Sequence, residues 1–352
     1  LGALLHFLVQ LVPLIARGMP HSFALTRESI ISTMSLVVIP SLPREVALMG
    51  NQALLIAFAA VASIISVGAV SAMSLAFNLQ SVPLTIIGVS YAAALFPALA
   101  LLASEGKRET FVNELWATAR HIAFWLLPAT MFIIVLRAHL VRVVLGTGAF
   151  SWEDTRLTAA IVALFSLSLV AQALILIFSR AHYALQRSLV PIVLNLGGSL
   201  VAGCLAYILV LYAETHVFFR FWFEALFRIS DVTGTSALMI PAAYSIAMIT
   251  VAIIYAYLFY REKMFERGFL GSFGISFSAS VIGAAAVYAA LNLFGPLLPT
   301  NTFLGIFTQG VIAGLFGALV WALILYLLGS RELSDVATVT YNRLKSLLAH
   351  VN

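Results

Sequence analysis

Stretches such as Ile161–Phe178 and Ile282–Leu293 run almost without charge and without alternating polar residues, and this decides the solvent in which the chain folds. A helical crossing of a bilayer needs about 20 apolar residues. Lipid offers the backbone no hydrogen-bond partner, so a crossing segment is either a helix or a strand of a closed barrel. Barrel strands alternate apolar and polar residues at every second position, and these stretches do not. The expected fold is all-α, a polytopic membrane helix bundle of about nine transmembrane helices. The composition agrees: 62% of the 352 residues are hydrophobic and 9% charged, against about 25% charged in a soluble domain. That excludes an ordinary globular enzyme, a disordered chain and a disulfide scaffold. The lone cysteine, Cys204, offers neither an internal disulfide nor a thiolate metal site. The net charge of +5 is read first as membrane topology, and no nucleic-acid partner is expected.

Apolar stretches between charge clusters and Gly, Pro or Asn punctuation predict helices near 2–16, 34–64, 69–102, 112–136, 156–182, 188–212, 236–259, 270–294 and 302–328. Of the 19 Lys and Arg residues, thirteen fall in one set of alternate loops and the tail, five in the opposite set, and Arg44 within a span. The positive-inside rule assigns the richer side, and with it the C-terminus, to the cytoplasm. His216–Arg228 reads as an interfacial helix on the outer side, with Arg220, Glu224 and Arg228 recurring every four residues on one face. An aromatic belt capping the neighbouring spans is the alternative. Ser151 and Asp154 have the spacing of a capping box that opens a span. Gly197, Gly198 and Gly203, and the pair Gly310 and Gly314, are expected to permit close helix packing, and Gln172 and Asn195 to join helices by hydrogen bonds.

Catalysis at a membrane needs a nucleophile, paired carboxylates or a metal. Of the fourteen acids thirteen sit in loops or at helix ends and Glu45 alone lies well within a span, and the seven histidines are scattered singly. No catalytic residues, no metal and no cofactor are therefore expected, and transport becomes the leading class. The charged intramembrane feature is Arg44–Glu45, preceded by Pro40 and Pro43. A charge at that depth costs at least about 2.5 kcal/mol and normally faces a cavity or a partner. Helical spacing puts Arg44 and Asn51 on one face and Glu45 and Gln52 on the adjacent one. A guanidinium matches phosphate bidentately, so Arg44 is expected to hold an anionic group of a substrate. The bland reading is a structural ion pair or snorkelling of Arg44 to the interface. In the third helix, Asn78, Gln80 and Ser81 precede Pro83 and a predicted break. The candidate substrate cavity is thus Arg44, Glu45, Asn51, Gln52, Asn78, Gln80 and Ser81.

Several motifs resemble the MurJ (MviN) lipid II flippases of the multidrug/oligosaccharidyl-lipid/polysaccharide exporter superfamily. They are VLGTGAFSWEDTRLTAAIVALFSLSL at Val144–Leu169, SRAHYALQRSLVP at Ser179–Pro191, LQSVPLTIIGVSYAAALFPAL at Leu79–Leu99, the fourth helix with Pro128, and the Gln52 region. Together they cover about residues 35 to 260. The resemblance implies fourteen spans in two six-helix lobes plus a final pair, of which this chain would match the sixth to fourteenth. Residues 1–18 would then be the last helix of a first lobe, 19–33 a cytoplasmic amphipathic linker, 34–260 the second lobe, 261–330 the final pair and 331–352 a basic amphipathic cytoplasmic tail. Leu1 would be an interior position of a longer protein, whose remaining first lobe is one expected partner. The others are membrane lipids and a lipid-linked diphosphate-sugar substrate in a bacterial cytoplasmic membrane.

Where the family usually carries an Arg in the third-helix segment, this chain has Asn78, and Ala59 stands where an acid is often found. The segment 214–237 is longer than the family's usual hairpin. The implied function is transport of lipid II from the inner to the outer leaflet in cell-wall biosynthesis. The alternatives are a related polysaccharide-lipid or drug exporter, or a non-transporting membrane scaffold if the chain truly begins at Leu1.

Overall fold

The computed structural model describes residues 2–16, 34, 39–66, 68–146, 150–295, 302–336 and 338. Its helices are α1 (Gly2–Ala16), α2 (Ile39–Ile65), α3 (Ala69–Ser104), α4 (Arg108–Leu145), α5 (Trp152–Ser166), α6 (Leu169–Ala184), α7 (Leu189–Thr215), α8 (Val217–Phe227), α9 (Thr235–Arg261, opening with a 3-10 turn), α10 (Gly268–Phe294) and α11 (Phe303–Leu327). No strand occurs among the described residues. Each of the nine stretches expected from the sequence holds helix among its described residues. Among the described residues six helices are long and apolar enough to cross a membrane, and seven if α5 and α6 count as one bent span. Much of the basic tail and the 19–33 linker lie outside the described residues.

The chain divides into two compact units, Leu1–Val46 and Ala47–Asn352. The first contains α1, whose Leu4, Leu5, Phe7 and Val12 are exposed. In the second, the centre is the α5–α6 pair: Thr155 and every residue from Leu157 to Ser166 are buried. A helix that is apolar all round belongs inside a bundle, and this one is surrounded by α3, α4 and α9. The sequence predicted one straight span here. The structure bends it by 40° at Ser166–Ser168. The Ser166 hydroxyl donates to the Val162 carbonyl (2.7 Å) and the Ser168 hydroxyl to the Phe165 carbonyl (2.7 Å), and such back-bonding bends helices. The start of α5 is the expected capping box: Ser151 Oγ accepts from the Asp154 N–H (3.0 Å), while Asp154 Oδ2 accepts from the Ser151 N–H (2.9 Å).

Pro83 does not break α3. The turn Leu84–Val89 is π-helical and the helix runs on to Ser104, so the wider turn absorbs the missing proline N–H.

The core of the larger unit has two tiers. One gathers Phe58, Ala76, Phe165, Ala206 and Met239 from α2, α3, α5, α7 and α9. The other gathers Leu99, Trp116, Phe178, Tyr255 and Phe259 from α3, α4, α6 and α9. The final pair, α10 and α11, packs on itself and on α4, with Phe124 against Trp321 (5.1 Å between ring centroids) and Val287 and Ala313 buried.

Of the glycines expected to allow close packing, Gly198 does so: a Cβ there would meet Val251 Cγ2 at 2.6 Å. Gly197 has open space around it, and Gly203, Gly310 and Gly314 sit at ordinary contact distance. The tightest crossing in the final pair is instead at Gly283 and Gly317, where a Cβ on Gly317 would lie 2.2 Å from Val287 Cγ2 and 2.9 Å from the Gly283 carbonyl oxygen. Overpacking of this kind costs about 1–3 kcal/mol. Gly317→Val is therefore expected to lower the thermal unfolding midpoint of the detergent-solubilised protein by several degrees. Gly274→Ala, with nothing within 4 Å of its Cβ, should leave the midpoint unchanged or raise it, since alanine is the better helix former.

Candidate functional site

Polar side chains in the spans sort into two kinds, those turned into the bundle and those left on its surface. Between the two core tiers Gln172, on α6, collects three partners. Its Nε2 donates to Ser168 Oγ (2.9 Å) and reaches Gln80 Oε1 on α3 (3.5 Å), and its Oε1 accepts from the Tyr244 hydroxyl on α9 (3.1 Å). Gln80 is fully buried. Lower in the bundle, Tyr255 on α9 shares its hydroxyl with Ser179 on α6 (3.0 Å) and Asn195 on α7 (3.3 Å). Gln172 and Asn195 thus join helices as their positions suggested.

The surface kind is a stripe on α3. Ser71, Ser74, Asn78 and Thr85 are exposed and Ser81 half-buried. At 3.6 residues per turn these positions share an arc of under about 90°, opposite Gln80. The Ser81 and Thr85 hydroxyls donate to the carbonyls of Asn78 (2.7 Å) and Ser81 (2.9 Å). Their lone pairs are left facing outward, beside the Asn78 amide. An exposed polar stripe on an apolar span is costly in hydrocarbon and marks a surface that meets water, a polar ligand or another part of the protein.

The predicted cavity residues divide accordingly. Asn78 and Ser81 lie on the stripe, Gln80 lies on the opposite face inside the bundle, and Gln52 is exposed on α2. Arg44, Glu45 and Asn51 fall in the helical backbone of α2, and their side chains lie outside the described residues. Ser71 and Ser74 were missed as members of the stripe. Their heptad spacing with Asn78, Ser81 and Thr85 is the signal that could have found them. Among the described residues no group of three His, Cys, Asp or Glu side chains could hold a metal ion.

Ion pairs gather at the two ends of the bundle. At the arginine-rich end, the loop from α9 to α10 is held by Arg187 on Glu262 (2.5 Å), Arg120 on Glu266, and the Trp116 indole N–H on the Met264 carbonyl (2.7 Å). Arg120 also lies 3.8 Å from Glu332, just past α11. At the opposite end Arg156 pairs with Asp231 (2.5 Å) and holds the Asp231 carboxyl below the usual aspartate range. There α8 exists as expected, with Glu224 of its charged face buried, Arg220 half-buried and Arg228 exposed. Arg220 lies 3.3 Å from Glu224 and 3.9 Å from Glu214, Thr235 donates to Glu224, and Ser236 donates to Glu214. Phe218, Phe221, Trp222 and Leu226 point outward. Arg228, the third residue of that face, ends the helix in a left-handed conformation (φ 57°) and offers its carbonyl to Arg156.

Long apolar helices, a buried polar layer and ion pairs confined to the two ends define a multi-pass helical membrane protein. Comparison with known proteins gives the family. The model for "Lipid II flippase MurJ" matches residues 1–308, and the chain belongs to that family, which makes it a multi-pass protein of the bacterial inner membrane. It is 30% identical over 135 residues to a probable lipid II flippase MurJ of Bdellovibrio bacteriovorus, covering 38% of this chain and 26% of that protein. It is 30% identical over 124 residues to one of Rhizobium tropici, covering 35% and 23%. A solved structure titled "Lipid II flippase MurJ, inward closed conformation" superposes with a TM-score of 0.63 at 18% identity, over 89% of this chain and 58% of that one; this likeness is one of fold. The matches span about a quarter of the length of the curated relatives.

Two outcomes are expected. Gln172→Leu strands the Tyr244 hydroxyl, Gln80 and Ser168 together and should cost about 1–3 kcal/mol, read as a fall in unfolding midpoint; Gln52→Leu, on an exposed face, should cost little. The second concerns Glu332. Burial by itself would raise its carboxyl, yet its own backbone N–H, the Ser272 and Ser330 hydroxyls and Arg120 hold it below the ordinary 4.5. A lowered folded value means that ionised Glu332 stabilises its docked segment above the unfolded pKa, and that this is lost as pH falls through the folded one. Hydrogen-exchange protection of residues 331–336 should hold down to about pH 4.5 and decline only below it, and Glu332→Gln should remove that step.

Proposed function

We propose that this chain is the end of the first lobe, the second lobe and the final helix pair of a flippase that carries a lipid-linked peptidoglycan precursor, lipid II, from the inner to the outer leaflet of the cytoplasmic membrane. The observation that carries the reading is the exposed Ser71–Ser74–Asn78–Ser81–Thr85 stripe on an otherwise apolar span. Membership of the family and the printed names of the relatives support the substrate.

In this reading α2 to α9 form the second lobe, α10 and α11 the final pair, and the remainder of a first lobe completes the protein. The arginine-rich end, with the C-terminus, faces the cytoplasm. The polar head crosses along the α3 stripe, with Asn78 and Ser81 offering hydrogen bonds to its sugars. Asn51 and Gln52 are assigned to the same cavity, while Gln80, buried on the opposite face, supports that wall from behind through Gln172. Arg44 takes an anionic group of the head, and Glu45 is its acidic neighbour. The prenyl tail stays in lipid alongside α10 and α11. Because Asn78 replaces the family's arginine, this wall reads hydroxyl and amide groups, and the diphosphate charge falls to Arg44 and to the first lobe. Membrane potential or first-lobe residues then drive turnover. A polysaccharide-lipid or drug exporter has no observation of its own in its favour.

The test is rescue of a flippase-depleted bacterium by the full-length gene, with lipid II measured on the outer face. Wild type should restore growth and outer-face lipid II. Arg44→Gln should abolish both at unchanged expression, and Asn78→Leu combined with Ser74→Leu should reduce transport by about tenfold or more. Unaltered transport in both variants would sink the assignment of these residues, and failure of the wild-type gene would sink the function itself.

A further inference from the structure

Where the C-terminal ends of α4 and α10 meet the N-terminal part of α11, the bundle holds a cleft of about 370 Å³. It is remote from the α3 stripe in the fold, being built on the final pair and the far end of α4, and the transport reading makes no use of it. Its polar lining is Arg142, His139, Gln309 and Asn292, with Trp152 at the rim and Ala138, Leu291 and Ile306 as apolar wall.

Arg142 makes no ion pair among the described residues; one of its guanidinium nitrogens donates to the Phe150 carbonyl at 3.3 Å. The neighbouring stretches 147–149 and 296–301 contain no acidic residue, so its charge has no counter-ion from either. His139 is oriented by a relay. Gln309 Nε2 donates to the Gly295 carbonyl (3.0 Å), which turns Gln309 Oε1 toward His139 Nε2 at 3.3 Å. A carbonyl oxygen pairs only with an N–H, so His139 carries its hydrogen on Nε2. Its Nδ1 is then an acceptor, and that atom is buried without a partner. His139 lines the cleft, so a hydroxyl bound there is the group that could match this acceptor.

A cation without a carboxylate among the described residues, next to an acceptor awaiting a hydroxyl, beside an apolar wall at the end of the final helix pair, asks for a phosphate ester that carries a free hydroxyl and an acyl chain. We propose that this cleft binds the headgroup of an anionic, hydroxyl-bearing phospholipid, the chemistry of phosphatidylglycerol. The phosphate sits on Arg142, a glycerol hydroxyl donates to His139 Nδ1, and the acyl-glycerol end rests against Leu291 and Ile306. A phosphatidylethanolamine could offer an N–H to the same nitrogen, but its ammonium would stand beside the Arg142 guanidinium and its net charge is zero. The site therefore selects the anionic lipid. With the orientation proposed above, it draws on the outer leaflet; the binding chemistry is the same on either side.

The experiment uses full-length protein in detergent, with phosphatidylglycerol, phosphatidylethanolamine or soluble glycerol 3-phosphate added. Bound lipid is counted by native mass spectrometry and the thermal midpoint is followed in parallel. Phosphatidylglycerol should bind at least about tenfold more tightly than phosphatidylethanolamine and raise the midpoint. Arg142→Gln should erase that preference, because charge-assisted hydrogen bonds to phosphate are about twice as strong as neutral ones. His139→Phe should weaken phosphatidylglycerol while leaving the weak phosphatidylethanolamine binding unchanged. Equal binding of the two lipids by wild type, or full preference retained in Arg142→Gln, overturns the site. Stabilisation by glycerol 3-phosphate equal to that by the lipid overturns the lipid as its source. Should Arg142→Gln fail to fold, the wild-type comparison of the two lipids decides alone.

Discussion

Everything in this molecule follows from a solvent that cannot accept or donate a hydrogen bond. In hydrocarbon each backbone N–H and C=O must be satisfied within its own segment, so the described chain is helix joined by short turns. Each polar side chain in a span must likewise find a partner or a wet surface. The α5–α6 pair shows the first outcome. Its serines bond back to their own helix and bend it, and Gln172 draws Gln80 and Tyr244 into a layer between two apolar tiers. The α3 stripe shows the second, where hydroxyls and an amide stay on the surface of a span otherwise fit for lipid.

Charge obeys the same constraint at the ends of the helices. The loop from α9 to α10 is gripped by Trp116, Arg120 and Arg187, and Arg120 extends the grip toward Glu332 beyond α11. The opposite end is closed by Arg156 with Asp231 and by the Glu214–Arg220–Glu224 cluster. Since every ion pair among the described residues lies at one end or the other, the apolar middle is held by packing, by small residues at Gly198, Gly283 and Gly317, and by neutral hydrogen bonds such as those of Gln172 and Tyr255. Such contacts are individually weak and act together.

The helices themselves were legible because an apolar run of span length has few other fates, and the family motifs lie on the elements that most need their residues: the capping box at Ser151 and Asp154, and Gln80 inside α3. The failures are equally physical. The bend in α5–α6 was missed because Ser166 and Ser168 read as ordinary small residues until their hydroxyls are seen on carbonyls of the preceding turn. The proline break in α3 was expected because Pro83 removes an N–H, and a π turn absorbed the loss. The helix α8 was legible from its spacing, but not the partners of its acids, because Thr235 and Ser236 reach Glu224 and Glu214 only from the start of α9. Glycine contacts went astray because which glycine is needed depends on the neighbour across the crossing, and Gly283 opposes Gly317 only once α10 and α11 are paired.

By itself the sequence determined the solvent, the helical class and the family, because these rest on periodicity and motif order along one strand of chain. Only the tertiary structure decided which polar residues are satisfied and which are offered outward. Asn78 and Gln80 stand two residues apart, yet one faces out from the bundle and the other is sealed inside it against Gln172. His139 and Gln309, 170 residues apart, become a relay only when α4 and α11 lie side by side. Pairing is a property of neighbours in space, and the order of residues along a chain does not state it.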